Sequence, residues 1–278
     1  MSACYNCGKE NIVLTNGTHY SICTNCGAWR ANLNVPFNPS EVYDEEYFSG
    51  AEYLNYELGK NVHKKNLLRK LHILEKFISF DKMRILEIGS ATGQFLQVAK
   101  ENGVSALIGM EISDFARGIA TSNGFDVYAP TDEKIYELIK NFRPNLIIAW
   151  DVWEHLETPS LTFEQLLNLA TSDSILALST VDSGSLTASY KGYKWRQFHP
   201  PSHINYPTQK SFKLFCKKNK MNILKHFHFG YYRPLAEYLA ALFGKRKWIV
   251  KSVFLFKIPI YLNLYDTQLI IARKASLK

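Results

Sequence analysis

After Lys60 the chain alternates short apolar runs with amphipathic segments, and this alternation limits its fold more than any other feature. Apolar residues recur at helical spacing from Lys60 to Phe80. Five apolar runs follow with helix-like segments between them: MRILEIG, VSALIGMEI, FDVYA, NLIIAWD and SILALSTV. Strands that alternate with helices predict an α/β fold, a Rossmann-like parallel sheet with helices on both faces. A later helix (SFKLFCKKNK), a strand (MNILKHFHF) and a closing strand near LNLYDTQLIIARK complete a domain predicted over residues 60–278.

The composition is that of a folded protein in a reducing compartment. With 278 residues, 46% hydrophobic and 21% charged, the chain is neither disordered nor of low complexity. No apolar signal-peptide core is found at the N-terminus. The most apolar late stretch, Trp248 to Tyr265, is interrupted by Lys251, Lys257 and Pro259, so we expect no transmembrane helix. The predicted location is the cytoplasm.

Two C-x-x-C-G motifs occupy the first 27 residues, at Cys4–Gly8 and Cys23–Gly27. Two such pairs have the ligand spacing of a four-cysteine zinc site, and four thiolates leave no open position for catalysis. We therefore predict a small structural zinc ribbon over residues 1–30, with unligated cysteines or a redox pair as the alternative. Its predicted ligands are Cys4, Cys7, Cys23 and Cys26. Cys216 lies in a predicted amphipathic helix and is expected in the core.

Two further segments have an open interpretation. Residues 31–59 form a connector with Pro36 and Pro39 and then the tyrosine- and acid-rich stretch YDEEYFSGAEYLNY. This connector predicts either an ordered packing segment or a lid that brings aromatic side chains to a ligand. Residues 230–259 read as a basic amphipathic insertion, which suits an anionic membrane surface, the mouth of a substrate site, a dimer face or simple packing. Its cations are Lys245, Arg246, Lys247, Lys251 and Lys257.

The first strand of the alternating region ends in a glycine-containing turn, Glu87–Gly93. A tight glycine turn between a strand and a helix lets a nucleotide-type cofactor approach the backbone. Gly93 is expected to permit close helix packing. Glu111 ends the second strand 22 positions after Gly89 (111 − 89), where a carboxylate can accept hydrogen bonds from ribose hydroxyls. Ala91 breaks the G-x-G-x-x-G pattern, so the sequence favours a nucleoside cofactor other than a dinucleotide.

At these residues the chain resembles the class I S-adenosylmethionine (SAM)-dependent methyltransferases. Their first motif, acid-x-glycine-x-glycine-x-glycine, is matched with Ala91 at the usual second glycine. The resemblance implies that the methionine moiety is held by the turn, the ribose by the acid after strand two and the adenine by residues after strand three. The residues implied for the cofactor are Glu87, Gly89, Ser90, Ala91, Gly93, Glu111, Ile112, Asp132 (or Thr131), Trp150 and Asp151.

Two later stretches resemble one branch of this superfamily. AWDVWEHLETP is similar to its D-V-L-E-H-L-x-x-P stretch, and WRQFHPPSHINYPTQKSFKLF to its H-P-x-E-H-L-x-Y-F-T stretch. Together with the cysteine module, these stretches resemble the sugar C-methyltransferases. The resemblance implies a sugar, sugar nucleotide or glycan intermediate as acceptor. It also implies His155 or His203 as the catalytic base, with Ser202 where those enzymes have glutamate.

Two alternatives remain open at this stage. Some ribosomal RNA methyltransferases also join a zinc module to this fold, and a net charge of +8 suits phosphate contacts, which points to an RNA base methyltransferase. A zinc protein that binds nucleic acid through an inactive Rossmann-like domain is the second alternative. The basic residues are scattered along the chain, and this favours the small-molecule acceptor. The sequence does not decide the oligomeric state.

Overall fold

The computed structural model describes residues 4–9, 12–14, 19–33, 60–243 and 253–275. Its strands are β1 Ile12–Leu14, β2 Tyr20–Cys23, β3 Trp29–Ala31, β4 Arg84–Ile88, β5 Ala106–Met110, β6 Val127–Tyr128, β7 Leu146–Trp150, β8 Ile175–Val181, β9 Asn205–Tyr206, β10 Met221–His228, β11 Tyr231–Pro234, β12 Pro259–Leu262 and β13 Thr267–Lys274. Its helices are α1 Lys60–Glu75, α2 Gln94–Glu101, α3 Asp114–Ser122, α4 Ile135–Phe142, α5 Pro159–Leu169, α6 Leu186–Lys191, α7 Gln209–Lys218, α8 Leu235–Phe243 and α9 Val253–Lys257.

Seven strands form the central sheet in the order β10-β13-β8-β7-β4-β5-β6. The five strands from β8 to β6 are parallel, as the alternation of strands and helices predicts. β13 lies between β8 and β10 and pairs antiparallel with both. The sheet is therefore mixed at one edge. After the antiparallel pair of β11 and β12, β13 begins at the end of the sheet where the parallel strands finish, and it runs in the opposite direction. The predicted Rossmann-like fold is confirmed.

Alternate residues of the central strands supply two hydrophobic cores, one on each face of the sheet. Ile85 packs with Leu71 of α1 on one face, and Leu86 packs with Trp153 and Phe163 on the other. This arrangement follows from the two-residue period of a strand, which sends successive side chains to opposite faces. Because both faces carry helices, the central strands are largely apolar, and β8 is buried at all seven positions.

The N-terminal cysteine segment joins the rest of the chain through a second, smaller sheet. Its antiparallel strands follow the order β1-β2-β3-β9, so β9 extends the N-terminal hairpin. Trp29 pairs with Tyr206 in this sheet, and both side chains are buried beside Trp195. The ribbon is thus continuous with the segment that follows β8.

Parts of the two ambiguous segments lie outside the described residues. The predicted connector is not described from 34 to 59, nor are four of the cations predicted for the insertion, Lys245, Arg246, Lys247 and Lys251. The described remainder of that insertion forms the antiparallel pair of β11 and β12 together with α8 and α9. The side chain of Lys257 is exposed. Within the described ranges, no helix is long and apolar enough to cross a membrane.

Candidate active site

The turn after β4 adopts a backbone that only small residues accept. Gly89 has φ +66°, and a Cβ atom there would lie 2.6 Å from Cγ2 of Val152. Gly93 has φ +80° and would place a Cβ 3.1 Å from Phe125 and 3.2 Å from Ala120. Gly89 therefore keeps the backbone open beside Val152, and Gly93 permits the close helix packing that the sequence predicts.

Ala91, which replaces the usual glycine, also has a left-handed backbone with φ +46°. Its amide donates to Oε2 of Glu111 at 2.8 Å, and the amide of Ser113 donates to Oε1 at 2.9 Å. The carboxylate at the end of β5 thus holds the turn after β4 in place. Burial raises the pKa of Glu111, and the backbone donors oppose this rise.

A cavity of about 280 Å³ opens above this turn. Six of the residues predicted for the cofactor line this cavity: Gly89, Ala91, Glu111, Ile112, Trp150 and Asp151. Val152, His155, Leu156 and Thr162 form another part of its wall. After β6 the described residue in the wall is Pro130, and Asp132 instead accepts the amide of Lys134.

Three polar atoms near this turn are buried without a partner among the described residues: Glu87 Oε2, Ser90 Oγ and Trp150 Nε1. Buried polar groups in folded proteins are nearly always hydrogen-bonded, so such atoms indicate a site for a polar ligand. Burial raises the pKa of Glu87 well above its usual value, although the Lys70 ammonium opposes this rise. A cationic amino group on a bound ligand would satisfy this carboxyl. The residues at the turn therefore fit the amino-acid end of SAM.

Asp151 follows β7 with φ +57° and belongs to a buried polar network. Its carboxylate accepts hydrogen bonds from Tyr231 Oη at 2.9 and 3.0 Å and from Ser179 Oγ at 3.0 Å. Lys70 Nζ lies 3.4 Å from Oδ2 of Asp151 and 3.0 Å from Ser179 Oγ. Burial lowers the pKa of Lys70, and Asp151 opposes this effect. The network fixes the carboxylate where the cofactor cavity ends.

His155 and His203 come together from positions 48 residues apart (203 − 155), with ring centroids separated by 4.6 Å. Nδ1 of His155 lies 2.8 Å from the carbonyl of Ser202, and Nδ1 of His203 lies 2.9 Å from the carbonyl of Gln197. A carbonyl only accepts, so Nδ1 of a neutral His203 carries the proton and its lone pair lies on Nε2, whereas the His155 ring also hydrogen-bonds to the backbone of Asp151. Burial lowers the pKa of His155 to about 4 and that of His203 to about 2, so both rings are neutral near pH 7.

A second cavity, of about 420 Å³, meets the first at Asp151. Its wall combines apolar surface with many polar side chains, among them His203 and His199, whose ring centroids lie 3.8 Å apart. Further polar lining residues are Glu154, Arg196, Gln197, Tyr231, Arg233, Glu237, Tyr238 and Asp266. The described part of the basic insertion thus contributes to the wall of this cavity. Two cavities with a common residue suit a two-substrate enzyme.

The four N-terminal cysteines cluster in the manner predicted for metal ligands. Sγ of Cys4 lies 3.7 Å from Sγ of Cys26, and Sγ of Cys7 lies 3.8 Å from Sγ of Cys23. A tetrahedron of 2.3 Å zinc–sulfur bonds places its sulfurs about 3.8 Å apart, whereas a disulfide needs about 2.05 Å. The hydrogen bond with Cys26 lowers the pKa of Cys4 to about 5. The cluster therefore fits one tetrahedral metal ion.

The two cysteine turns have the same backbone pattern. Gly8 donates to the carbonyl of Cys4, and Gly27 donates to the carbonyl of Cys23, each at 2.7 Å. Both glycines have positive φ, +70° and +75°. This repeated geometry explains why a glycine follows the second cysteine of each motif.

Comparison with known proteins decides the family. A model described as "Methyltransferase domain" matches residues 52–226, more than half of the chain. The chain belongs to this methyltransferase family. It is a SAM-dependent enzyme of class I, as the glycine turn indicates. No curated protein matches the methyltransferase.

Several solved structures have the fold of the methyltransferase. A SAM-dependent methyltransferase from Thermotoga maritima is 17% identical with a TM-score of 0.51, over 83% of this chain and 98% of that one. Magnesium protoporphyrin IX methyltransferase from Synechocystis PCC 6803, with bound SAH, is 14% identical with a TM-score of 0.52, over 83% and 97%. A chain from a Haloferax volcanii complex of the Trm112 methyltransferase activator with a methyltransferase is 9% identical with a TM-score of 0.56, over 82% and 96%.

The cysteine ribbon of the methyltransferase contacts both histidine-bearing segments. Trp153 Nε1, two positions before His155, donates to Asn6 Oδ1 at 2.7 Å. On the other side, β3 pairs with β9, which begins two positions after His203. The two segments also contact each other directly, since the amide of Ile204 donates to the carbonyl of Glu154 at 2.9 Å. The ribbon therefore supports the geometry of the histidine pair.

Sequence reasoning missed several residues of this site. Lys70 has a usable signal, because it lies on the apolar face of α1 between Leu67 and Leu74. Glu154 precedes a predicted base and is almost fully buried, which its sequence does not indicate. Tyr231 has no local signal at all. His199, expected as structural or surface, lines the second cavity.

Proposed function

We propose that this methyltransferase transfers the methyl group of SAM to a hydroxyl-rich small molecule: a sugar, a sugar nucleotide or a glycan intermediate. The observation that carries this proposal is the 420 Å³ cavity with many polar side chains in its wall, which meets the cofactor cavity at Asp151. A volume of this size falls in the range of small-molecule sites. In this assignment the first cavity takes the cofactor and the second the acceptor.

In the cofactor cavity, the residues around the glycine turn would bind SAM. Glu87 offers its unpartnered Oε2 to the methionine ammonium, and Glu111 has lone pairs left for the ribose hydroxyls. Trp150 contributes an apolar wall and an indole N–H without a described partner. Bound SAM supplies an activated methyl group, so the protein mainly aligns an acceptor with it.

The acceptor cavity has charged groups that are already paired with each other. Arg196 donates Nε and Nη2 to the two oxygens of Asp266, at 3.0 and 2.7 Å. Arg233 likewise contacts Glu237 at 3.2 Å. Paired charges present fixed donors and acceptors without a large net field, and this suits hydroxyl groups better than a chain of phosphates. The wall therefore favours a sugar-type acceptor over RNA.

A hydroxyl acceptor must lose its proton as the methyl group arrives. The oxygen–carbon bond forms as the carbon–sulfur bond breaks, and S-adenosylhomocysteine (SAH) leaves. Nε2 of His203 is unprotonated and able to receive the proton, directly or through water, and His155 beside it is the alternative base. His203 is favoured because it lies in the wall of the acceptor cavity.

The N-terminal cysteines would hold one structural zinc ion. This proposal rests on sulfur separations near those of a zinc tetrahedron and on the two matching turns. We assign residues 1–30 to the ribbon, 31–59 to the connector and 60–278 to the methyltransferase domain. The insertion at 230–259 is assigned to the acceptor cavity rather than to a membrane surface, because Arg233, Glu237 and Tyr238 line that cavity. Elemental analysis of protein purified without chelators should find one zinc per chain, and a value near zero contradicts the ribbon proposal.

A transfer assay with methyl-labelled SAM tests the acceptor class. The acceptors are total RNA, small anionic and neutral metabolites, and lipid extract, all from cells that lack this protein. Label in the metabolite fraction, or in a lipid-linked glycan, supports the proposal. Label that nuclease removes from RNA, or no label in any fraction despite SAM binding, contradicts it. Gly118→Ala serves as the control for substitutions in the glycine turn, because an added Cβ at Gly118 has no neighbour within 4 Å.

A further inference from the structure

Glu154, His155 and His203 place one carboxylate and two imidazoles around a common point. Their ligand atoms all lie within 4.8 Å of one another, and apart from the four cysteines they form the one such group among the described residues. Ligand atoms about 2.0–2.2 Å from one ion lie roughly 3–4 Å apart, so a contraction of about an ångström or less closes the site. We propose that these three residues bind one divalent cation at the junction of the two cavities.

The histidine tautomers support this assignment. Nδ1 of His203 donates its proton to the carbonyl of Gln197, so its lone pair lies on Nε2, and Nδ1 of His155 lies 2.8 Å from the carbonyl of Ser202. Metal-binding histidines characteristically use one nitrogen for a carbonyl or carboxylate and the other for the ion. Two rings fixed in this way next to one carboxylate resemble a prepared ligand set.

Glu154 has the surroundings of a carboxylate ligand. Its side chain is only 1% exposed, and Oε2 accepts a hydrogen bond from Thr180 Oγ1 at 2.7 Å. An ionised carboxylate is costly to bury unless a cation or several donors compensate its charge. A bound cation provides this compensation, and the Thr180 hydroxyl orients the carboxylate toward it.

The position of the site suggests its use. Glu154 and His203 line the acceptor cavity, and His155 lines the cofactor cavity. Three protein ligands leave open coordination positions, which suit an oxygen of the acceptor and one or more waters. The ion would therefore hold the acceptor oxygen beside the cofactor. Only this role rests on the proposed function; the binding of the ion does not. An ion bound there would take the Nε2 lone pair of His203, so the base role of His203 belongs to the ion-free protein, and the acceptor proton would pass to water when the ion is bound.

Cobalt(II) chloride is the probe that tests the site, titrated by calorimetry and visible absorption into full-length protein with zinc in its ribbon. Cobalt bound to four thiolates shows sulfur-to-metal charge transfer, whereas cobalt bound to imidazole and carboxylate does not, so absorption separates the two sites. We expect one cobalt per chain without charge transfer. Glu154→Gln and His203→Gln should each weaken its binding at least ~10-fold.

The control variant is His226→Gln, which removes an imidazole that bonds to Gln268 away from the cluster. Its affinity for cobalt should stay within about twofold of the wild-type value, because the substitution removes none of the three proposed ligands. SAH binding by each variant verifies the fold. Absence of a bound cobalt without charge transfer in wild-type protein overturns the inference, as does unchanged binding by both Glu154→Gln and His203→Gln. Because cobalt binding is read without methyl transfer, a failure of the acceptor proposal is distinguishable from a failure of this one.

Discussion

The ion pair between the buried Lys70 and the partly exposed Asp151 predicts unequal losses of stability for the two single substitutions. Lys70 Nζ lies 3.4 Å from Asp151 Oδ2 and its side chain is 3% exposed. At an effective dielectric constant of 20, 332/(20 × 3.4) corresponds to about 5 kcal/mol. The Asp151 side chain is 41% exposed, so solvent screening reduces this value to about 2–3 kcal/mol. Asp151→Asn should therefore lower the free energy of unfolding by about 2–3 kcal/mol, because it leaves a buried ammonium without its counter-charge.

The reverse substitution, Lys70→Met, should cost less. Asp151 keeps the hydroxyl donors of Tyr231 and Ser179, and methionine fits beside Trp150, whose ring lies 4.8 Å from Nζ. We expect a loss of about 1 kcal/mol or less, since the Asp151 side chain is 41% exposed and its charge stays solvated when the ammonium is removed. In the double variant, the additional cost of Asp151→Asn should nearly disappear.

Urea denaturation of the four proteins measures this cycle, with the slope compared to verify that the denatured state is unchanged. The expected coupling energy is about 2 kcal/mol between the two sites, well above the usual error of additivity. If Asp151→Asn costs no more than Lys70→Met, and the two effects add within about 0.5 kcal/mol, the electrostatic reasoning is refuted.

Three further predictions concern the glycine turn and the cysteines. Gly89→Ala should weaken SAM binding at least ~10-fold in calorimetry, because its Cβ would lie 2.6 Å from Val152; Gly118→Ala should bind normally, and equal affinities would contradict the steric argument. Ala91→Gly should raise the free energy of unfolding by about 0.5 kcal/mol, since it relieves the left-handed backbone at φ +46°; a lower thermal midpoint would contradict this. Burial raises the pKa of Cys216 to about 12, so a thiol reagent at pH 8 should modify it only after denaturation. The ribbon cysteines should react with the reagent once a chelator has removed their metal ion. Modification of Cys216 in the native protein would refute its burial.

Local patterns determined what was predictable about the fold. Each strand and helix of the alternating region has its own hydrophobic period, and the period is a property of neighbouring residues. The turn from Glu87 to Gly93 is likewise recognisable from a short stretch of sequence, although the residues that crowd Gly89 and Gly93 come from later in the chain: Val152, Ala120 and Phe125. The spacing of the cysteines was informative for the same reason.

Long-range contacts determined what was not predictable. Lys70, Asp151 and Tyr231 meet from positions about 80 residues apart, and no local pattern links them. The antiparallel direction of β13 and the pairing of β3 with β9 are likewise set by the return path of the chain. After β6 the described residue that lines the cavity is Pro130, two positions before the predicted Asp132.

The central claim is that one cavity takes the cofactor and the neighbouring cavity takes the acceptor. A crystal structure of the protein with SAH tests this division most directly. We predict SAH in the 280 Å³ cavity, with its amino group at Glu87, its ribose hydroxyls at Glu111 and its sulfur facing Asp151. SAH in the 420 Å³ cavity, or SAH without contact to Glu87 and Glu111, would contradict the account.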